Sequence, residues 1–111
     1  MTLKEFEFQS ALGTLSYDDL VDIAKNTTSK DVLTILSNED WDVRCSVAEN
    51  PNTSVETLIK LSKDKDWFVR SYVAKNPNTP IKALATLSKD TDWFVKKCVA
   101  HNPNTPDEVW R

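Results

Sequence analysis

The sequence predicts an all-α fold, a short α-solenoid of about 3.5 helical repeats of about 26 residues with no sheet. Three observations predict it. The phrase "VAENPNTS" recurs as "VAKNPNTP" and "VAHNPNTP", each copy 26 residues after the last. Trp41, Trp67 and Trp93 keep the same interval. The 111 residues hold one Gly, too few for a turn-rich β protein.

The N-terminal segment begins with "TLKEFEFQSALG" (Thr2–Gly13). Thr2 with Glu5 forms a capping box and Gly13 a C-terminal stop, so a helix is predicted, although the alternation in "EFEFQ" also permits a strand. Ser16 and Asp19 start a second helix running through Lys25. The stretch Asp22–Trp41 is a degenerate first copy with Asn26 but no following Pro, and reads as an N-terminal capping repeat. The whole chain is one helical-repeat domain: residues 1–31 form the cap, 32–54, 55–80 and 81–106 the repeats, and 107–111 the start of a further helix.

Each "NP" stops a helix, because proline pushes the preceding Asn out of the α region and cannot continue the helix itself. Thr53, Thr79 and Thr105 are predicted N-caps of the next helix, with Glu56 and Glu108 completing two capping boxes. Pro80 and Pro106 suit the first helical position. "VETLIKLS" and "IKALATLS" place apolar residues at helical spacing. Asp66 and Asp92 can then cap the second helix of the unit. Helices this short are unstable alone, so neighbours must supply the burial.

On a helical wheel, Val69, Val73, Arg70, Ala74 and Trp67 fill one arc of about 160°. These positions recur in all copies, with Lys96 replacing Arg. This arc is predicted to pack, with Trp41, Trp67 and Trp93 as inter-repeat structural residues. A repeated cation within it requires a partner. Asp40, Asp66 and Asp92 are the predicted partners of Arg44, Arg70 and Lys96. The opposite arc varies: Phe68, Ser71, Tyr72 and Lys75 in one copy, Phe94, Lys97, Cys98 and His101 in the next. The first copy has Asp42, Cys45, Ser46 and Glu49 there. Aromatic residues where the scaffold leaves choice point to a contact with a protein or peptide. Phe68, Ser71, Tyr72, Lys75, Phe94, Lys97, Cys98 and His101 are therefore the candidate partner-binding residues.

The stretch "VRSYVAKNPNTPIKALATLSKDTDWFV" (Val69–Val95) resembles the leucine-rich repeat variant family, with its valine–arginine pair, alanine, asparagine–proline, threonine–proline, leucines and aspartates in that order. The resemblance covers roughly residues 20–111. It implies a right-handed superhelix of alternating α- and 3₁₀-helices, and interaction scaffolds without common catalytic residues. The D-x-x-V-R spacing is also similar to HEAT-type helical repeats. The N-terminal iron–sulfur cluster carried by one family member is not implied, since no cysteine precedes Cys45.

The net charge of −3 is uneven. Residues 1–56 hold four Lys/Arg against eleven Asp/Glu, and residues 57–111 hold ten against six. The basic half makes nucleic-acid binding the alternative function, against an overall pI of about 5.1. No cofactor or catalytic residue is predicted. The His/Cys pattern lacks metal spacing, no Gly-rich phosphate loop is present, and the equivalents of His101 are Glu49 and Lys75. An acidic, polar N-terminus and two lone thiols predict a cytoplasmic protein without a membrane segment. At the C-terminus Trp110 takes the place of Leu58 and Leu84. The stub either covers the last repeat or docks a second copy as a homodimer.

Overall fold

The computed structural model describes residues 1–110, with side chains described through Glu108. Among these are eight α-helices and no strand: α1 (Leu3–Leu12), α2 (Tyr17–Asn26), α3 (Lys30–Leu36), α4 (Trp41–Glu49), α5 (Val55–Leu61), α6 (Trp67–Lys75), α7 (Ile81–Leu87) and α8 (Trp93–His101). A 3₁₀ turn, Asp107–Trp110, follows. The resemblance implies alternating α- and 3₁₀-helices; here both helices of each repeat are α. "EFEFQ" is helical. The Thr2 side chain accepts from the Glu5 amide, and Gly13 ends α1 at φ 69°, a conformation that suits glycine. The capping box of Ser16 and Asp19 starts α2.

The even-numbered helices form one layer, α2 against α4, α4 against α6 and α6 against α8; the odd-numbered helices form the second layer. The molecule measures 51 × 20 × 17 Å, and its radius of gyration of 14.5 Å exceeds the roughly 13 Å of a compact chain of this length. Valines from the even layer (Val43, Val47, Val69, Val73, Val95, Val99) meet leucines from the odd layer (Leu33, Leu36, Leu58, Leu61, Leu84, Leu87) in one continuous core. Each of these leucines stabilises the fold by about 1.5–3 kcal/mol relative to exposure. Every repeat contributes to an interior that no single repeat encloses. No helix among the described residues is long and apolar enough to cross a membrane.

The "NPNT" turn works differently from the sequence expectation. Asn50, Asn76 and Asn102 are extended, with ψ of 124°, 127° and 123°, as a following proline demands. Thr53, Thr79 and Thr105 do not cap the next helix. Their hydroxyls donate backwards to the carbonyls of Val47, Val73 and Val99 at 2.6–2.7 Å, satisfying the last turn of the preceding helix. The next helix starts one residue later than expected, so Ser54 is its N-cap and Pro80 takes the N-cap place in the following copy.

The asparagines hold the repeats together. The Asn76 carboxamide nitrogen donates to the carbonyls of Ala48 and Asn50, and its oxygen accepts from the Asn78 amide. Asn102 repeats the pattern on Ala74, Asn76 and Asn104; Asn50 does so on Ala24, Thr27 and Asn52. All three are buried, and all their polar atoms are used.

Candidate functional site

The even layer presents its outer surface through the variable arc of α4, α6 and α8. Trp41, Trp67 and Trp93 were expected inside the packed arc. They are instead 53%, 38% and 69% exposed. Each is the first residue of its helix. In a helix the Cα–Cβ bond tilts toward the N-terminus, so a side chain at that position leans past the helix end rather than onto a neighbour. Ser71 and Cys98, expected on the outer arc, are instead buried, with 3% and 5% exposure. For Ser71 the reason is that α6 is flanked by both α4 and α8, so its buried face is wider than the five recurrent positions; Cys98 lies on α8, which packs against α6.

The displaced indoles meet the phenylalanines of the variable arc. Ring centroids are 5.6 Å apart for Trp41 and Phe68, and 4.1 Å for Phe68 and Trp67. The row continues from Trp67 to Phe94 at 5.9 Å and from Phe94 to Trp93 at 5.9 Å, both nearly edge-to-face. Five rings thus form an unbroken surface row across three repeats. Phe68 is 41% exposed, while Phe94 and Tyr72 are half-buried and rest on the core.

Cations edge this row toward α8. Lys75 Nζ lies 5.3 Å from the Tyr72 ring centroid and 5.1 Å from that of Phe94; Lys97 Nζ lies 5.9 Å from Trp93. His101 Nδ1 lies 2.8 Å from the Lys97 carbonyl oxygen. Between α6 and α8 a shallow groove of about 240 Å³ is lined by Lys75, Phe94, Lys97, Cys98 and His101. The structure therefore brings together Phe68, Tyr72, Lys75, Phe94, Lys97 and His101. It adds the three indoles, and it places Ser71 and Cys98 beneath the surface, with the Cys98 side chain still reaching the groove wall. Burial pushes the Cys98 thiol up, and also pushes that of Cys45 up to about 11, so both are unreactive thiols.

Of the expected pairs only Arg44–Asp66 forms, and each recurrent arginine also takes an aspartate that was not expected. Arg44 Nε donates to Asp64 Oδ2 at 2.9 Å and its Nη2 to Asp66 Oδ2 at 2.6 Å. Arg70 grips Asp90 with Nε and Nη2 at 2.7 and 3.2 Å, and its Nη1 donates to the Asp64 carbonyl. The first aspartate of each "KDxDW" is the shared ion partner. The second differs between copies: Asp66 also pairs with Arg44 and makes no cap bond, whereas Asp92 accepts from the amides of Phe94 and Val95 at the start of α8. Asp40 and Asp92 join no ion pair among the described residues, nor does the exposed Lys96. The recurrence of Asp64 and Asp90 at the repeat interval was the readable signal. Burial pushes the Asp90 carboxyl up, but the Arg70 guanidinium and the Asp92 amide outweigh it and hold the group below the usual carboxylate range. These arginines are tied into the scaffold.

The role of the Trp110 side chain, as cover for the last repeat or as a dimer contact, lies outside the described residues.

Residues 41–66 match the family described as leucine rich repeat variant. The matched segment is one interval, from Trp41 to the aspartate preceding Trp67, and agrees with the resemblance read from the sequence. It marks a repeat-type module. No curated protein and no solved structure gives a significant match to the chain.

Proposed function

We propose that this leucine rich repeat variant chain is a non-catalytic scaffold that binds a peptide or protein segment along the ring row of α4, α6 and α8. One observation carries the reading: five aromatic rings stand in contact on the surface, and two of them, Phe68 and Phe94, occupy positions where the repeat leaves residue choice open. Exposed, preorganised aromatic side chains supply much contact area at low entropic cost, and such residues dominate interface energetics. The nucleic-acid reading is less well supported, because Arg44 and Arg70 are engaged in ion pairs and Asp42 and Glu49 flank the same surface. Two free, buried cysteines suit a reducing cytoplasm.

Selection of a random displayed peptide library on the full chain tests this. Enriched peptides should carry apolar anchors and should lose about tenfold or more in affinity for Phe68→Ala/Phe94→Ala. Circular dichroism of the variant should remain that of the parent. Peptides that bind both proteins equally would place the contact elsewhere.

A further inference from the structure

The three successive grooves of the even layer are alike in position but not in charge. The first, between α2 and α4 and reaching Phe68 and Tyr72 of α6, sets Lys25 against Asp42 and Glu49. The second, between α4 and α6, balances Glu49 with Lys75. The third, between α6 and α8, carries Lys75, Lys97 and His101 and no carboxylate. The chain's surface thus runs from net negative to net positive along one row of rings. Among the described residues neither Lys75 nor Lys97 forms an ion pair. Their ammonium groups lie beside Phe94 and Trp93, whose rings set an apolar wall directly next to both charges.

We infer that the third groove takes an acidic peptide segment: one apolar side chain against Phe94, with flanking carboxylates on Lys75 and Lys97. This rests on the proposed peptide-binding function and names the chemistry of its partner. The apolar wall demands a hydrophobic anchor. The ammonium groups, each with three donors and no ion-pair partner among the described residues, favour an acceptor of opposite charge. A polyanionic nucleic acid matches the lysines and can stack on the rings. As it ran along the row, however, it would meet Asp42 and Glu49. A short acidic segment confined to the third groove meets neither.

Three labelled peptides sharing one Leu–Phe core test the inference, flanked respectively by Glu, Ser or Lys, with oligothymidylate as a fourth probe. Fluorescence anisotropy on the full chain should show the Glu peptide bound tightest, about tenfold over the Ser peptide, and the Lys peptide weakest. The preference should shrink as salt rises. Lys75→Ser/Lys97→Ser should abolish it, so that the Glu, Ser and Lys peptides bind the variant alike. Lys97→Ser alone should show part of the loss. Equal affinity for the three peptides overturns the inference and leaves the peptide-binding function standing. Failure of every peptide to bind overturns both. Oligothymidylate bound more tightly than the Glu peptide reassigns the groove to nucleic acid.

Discussion

The Asn76 carboxamide donates across the repeat boundary to the carbonyl oxygen of Ala48 at 2.8 Å. The same side chain bonds Asn50 and receives the Asn78 amide, so three backbone groups depend on it. Asn76→Ala leaves buried groups without partners, and each costs about 1–3 kcal/mol. Urea denaturation should show a loss of about 3 kcal/mol for Asn76→Ala. Asn26, exposed and bonded only to Asp22 of its own helix, should change stability by less than about 0.5 kcal/mol when replaced by Ala.

Arg70 and Asp90 join successive repeats at 2.7 Å, with side chains 16% and 9% exposed. Removing Arg70 strands a largely buried carboxylate. Arg70→Met should therefore cost about 2 kcal/mol, below the range for a fully buried pair because some solvent reaches it. Lys96→Met should cost almost nothing. The pH dependence has a definite sign. The folded Asp90 carboxyl lies below its unfolded value, so its stabilisation is complete above about pH 4 and disappears as pH falls through the folded value. Asp90→Asn should flatten that acid limb in stability curves measured between neutral and acid pH.

The largest repeated side chain should matter less to folding than a small one two residues away. Trp93 is 69% exposed and Val95 is fully buried. Trp93→Ala should cost less than about 1 kcal/mol, mostly the edge-to-face contact with Phe94. Val95→Ala should cost about 2 kcal/mol through lost burial and the cavity left behind. Thermal melts of the two variants check the order.

Cys45 is 7% exposed, and burial first, then the charges of Asp64, Asp42 and Asp66, raise its thiol to about 11 against the pull of Arg44. The native protein should label slowly with iodoacetamide at neutral pH and rapidly in urea. A raised thiol stabilises the fold fully below its unfolded value of about 8.5 and loses that contribution as pH rises through about 11. Cys45→Ser should react to that alkaline range less than the parent does.

Much of the scaffold was readable because repetition within the chain separates required positions from free ones. The stop at each Asn-Pro, the short helices and the valine–leucine core all follow from spacing and proline chemistry. The wheel failed at Trp67, because it carries no information about where along the helix a residue sits. A first-turn position sends the side chain off the end. It failed at Ser71 because it assumes one covered side, whereas α6 is covered on two. The sequence marked Asn76 as a helix stop but held no sign that its side chain crosses to the preceding repeat; that contact needs the three-dimensional offset of the copies. The candidate site was half legible. Phe68, Phe94, Lys75 and Lys97 were visible as variation, whereas the indoles that complete the row were assigned to the interior.

The central claim is that the three repeated indoles stand together on the surface as a platform for a partner. Acrylamide quenching of tryptophan fluorescence in a Trp110→Phe protein tests it most directly, since Trp41, Trp67 and Trp93 are then the only emitters. The account predicts efficient quenching in the folded free chain and marked protection once a selected peptide saturates it. Indoles already shielded in the free chain, or equally quenched with and without the peptide, would contradict it.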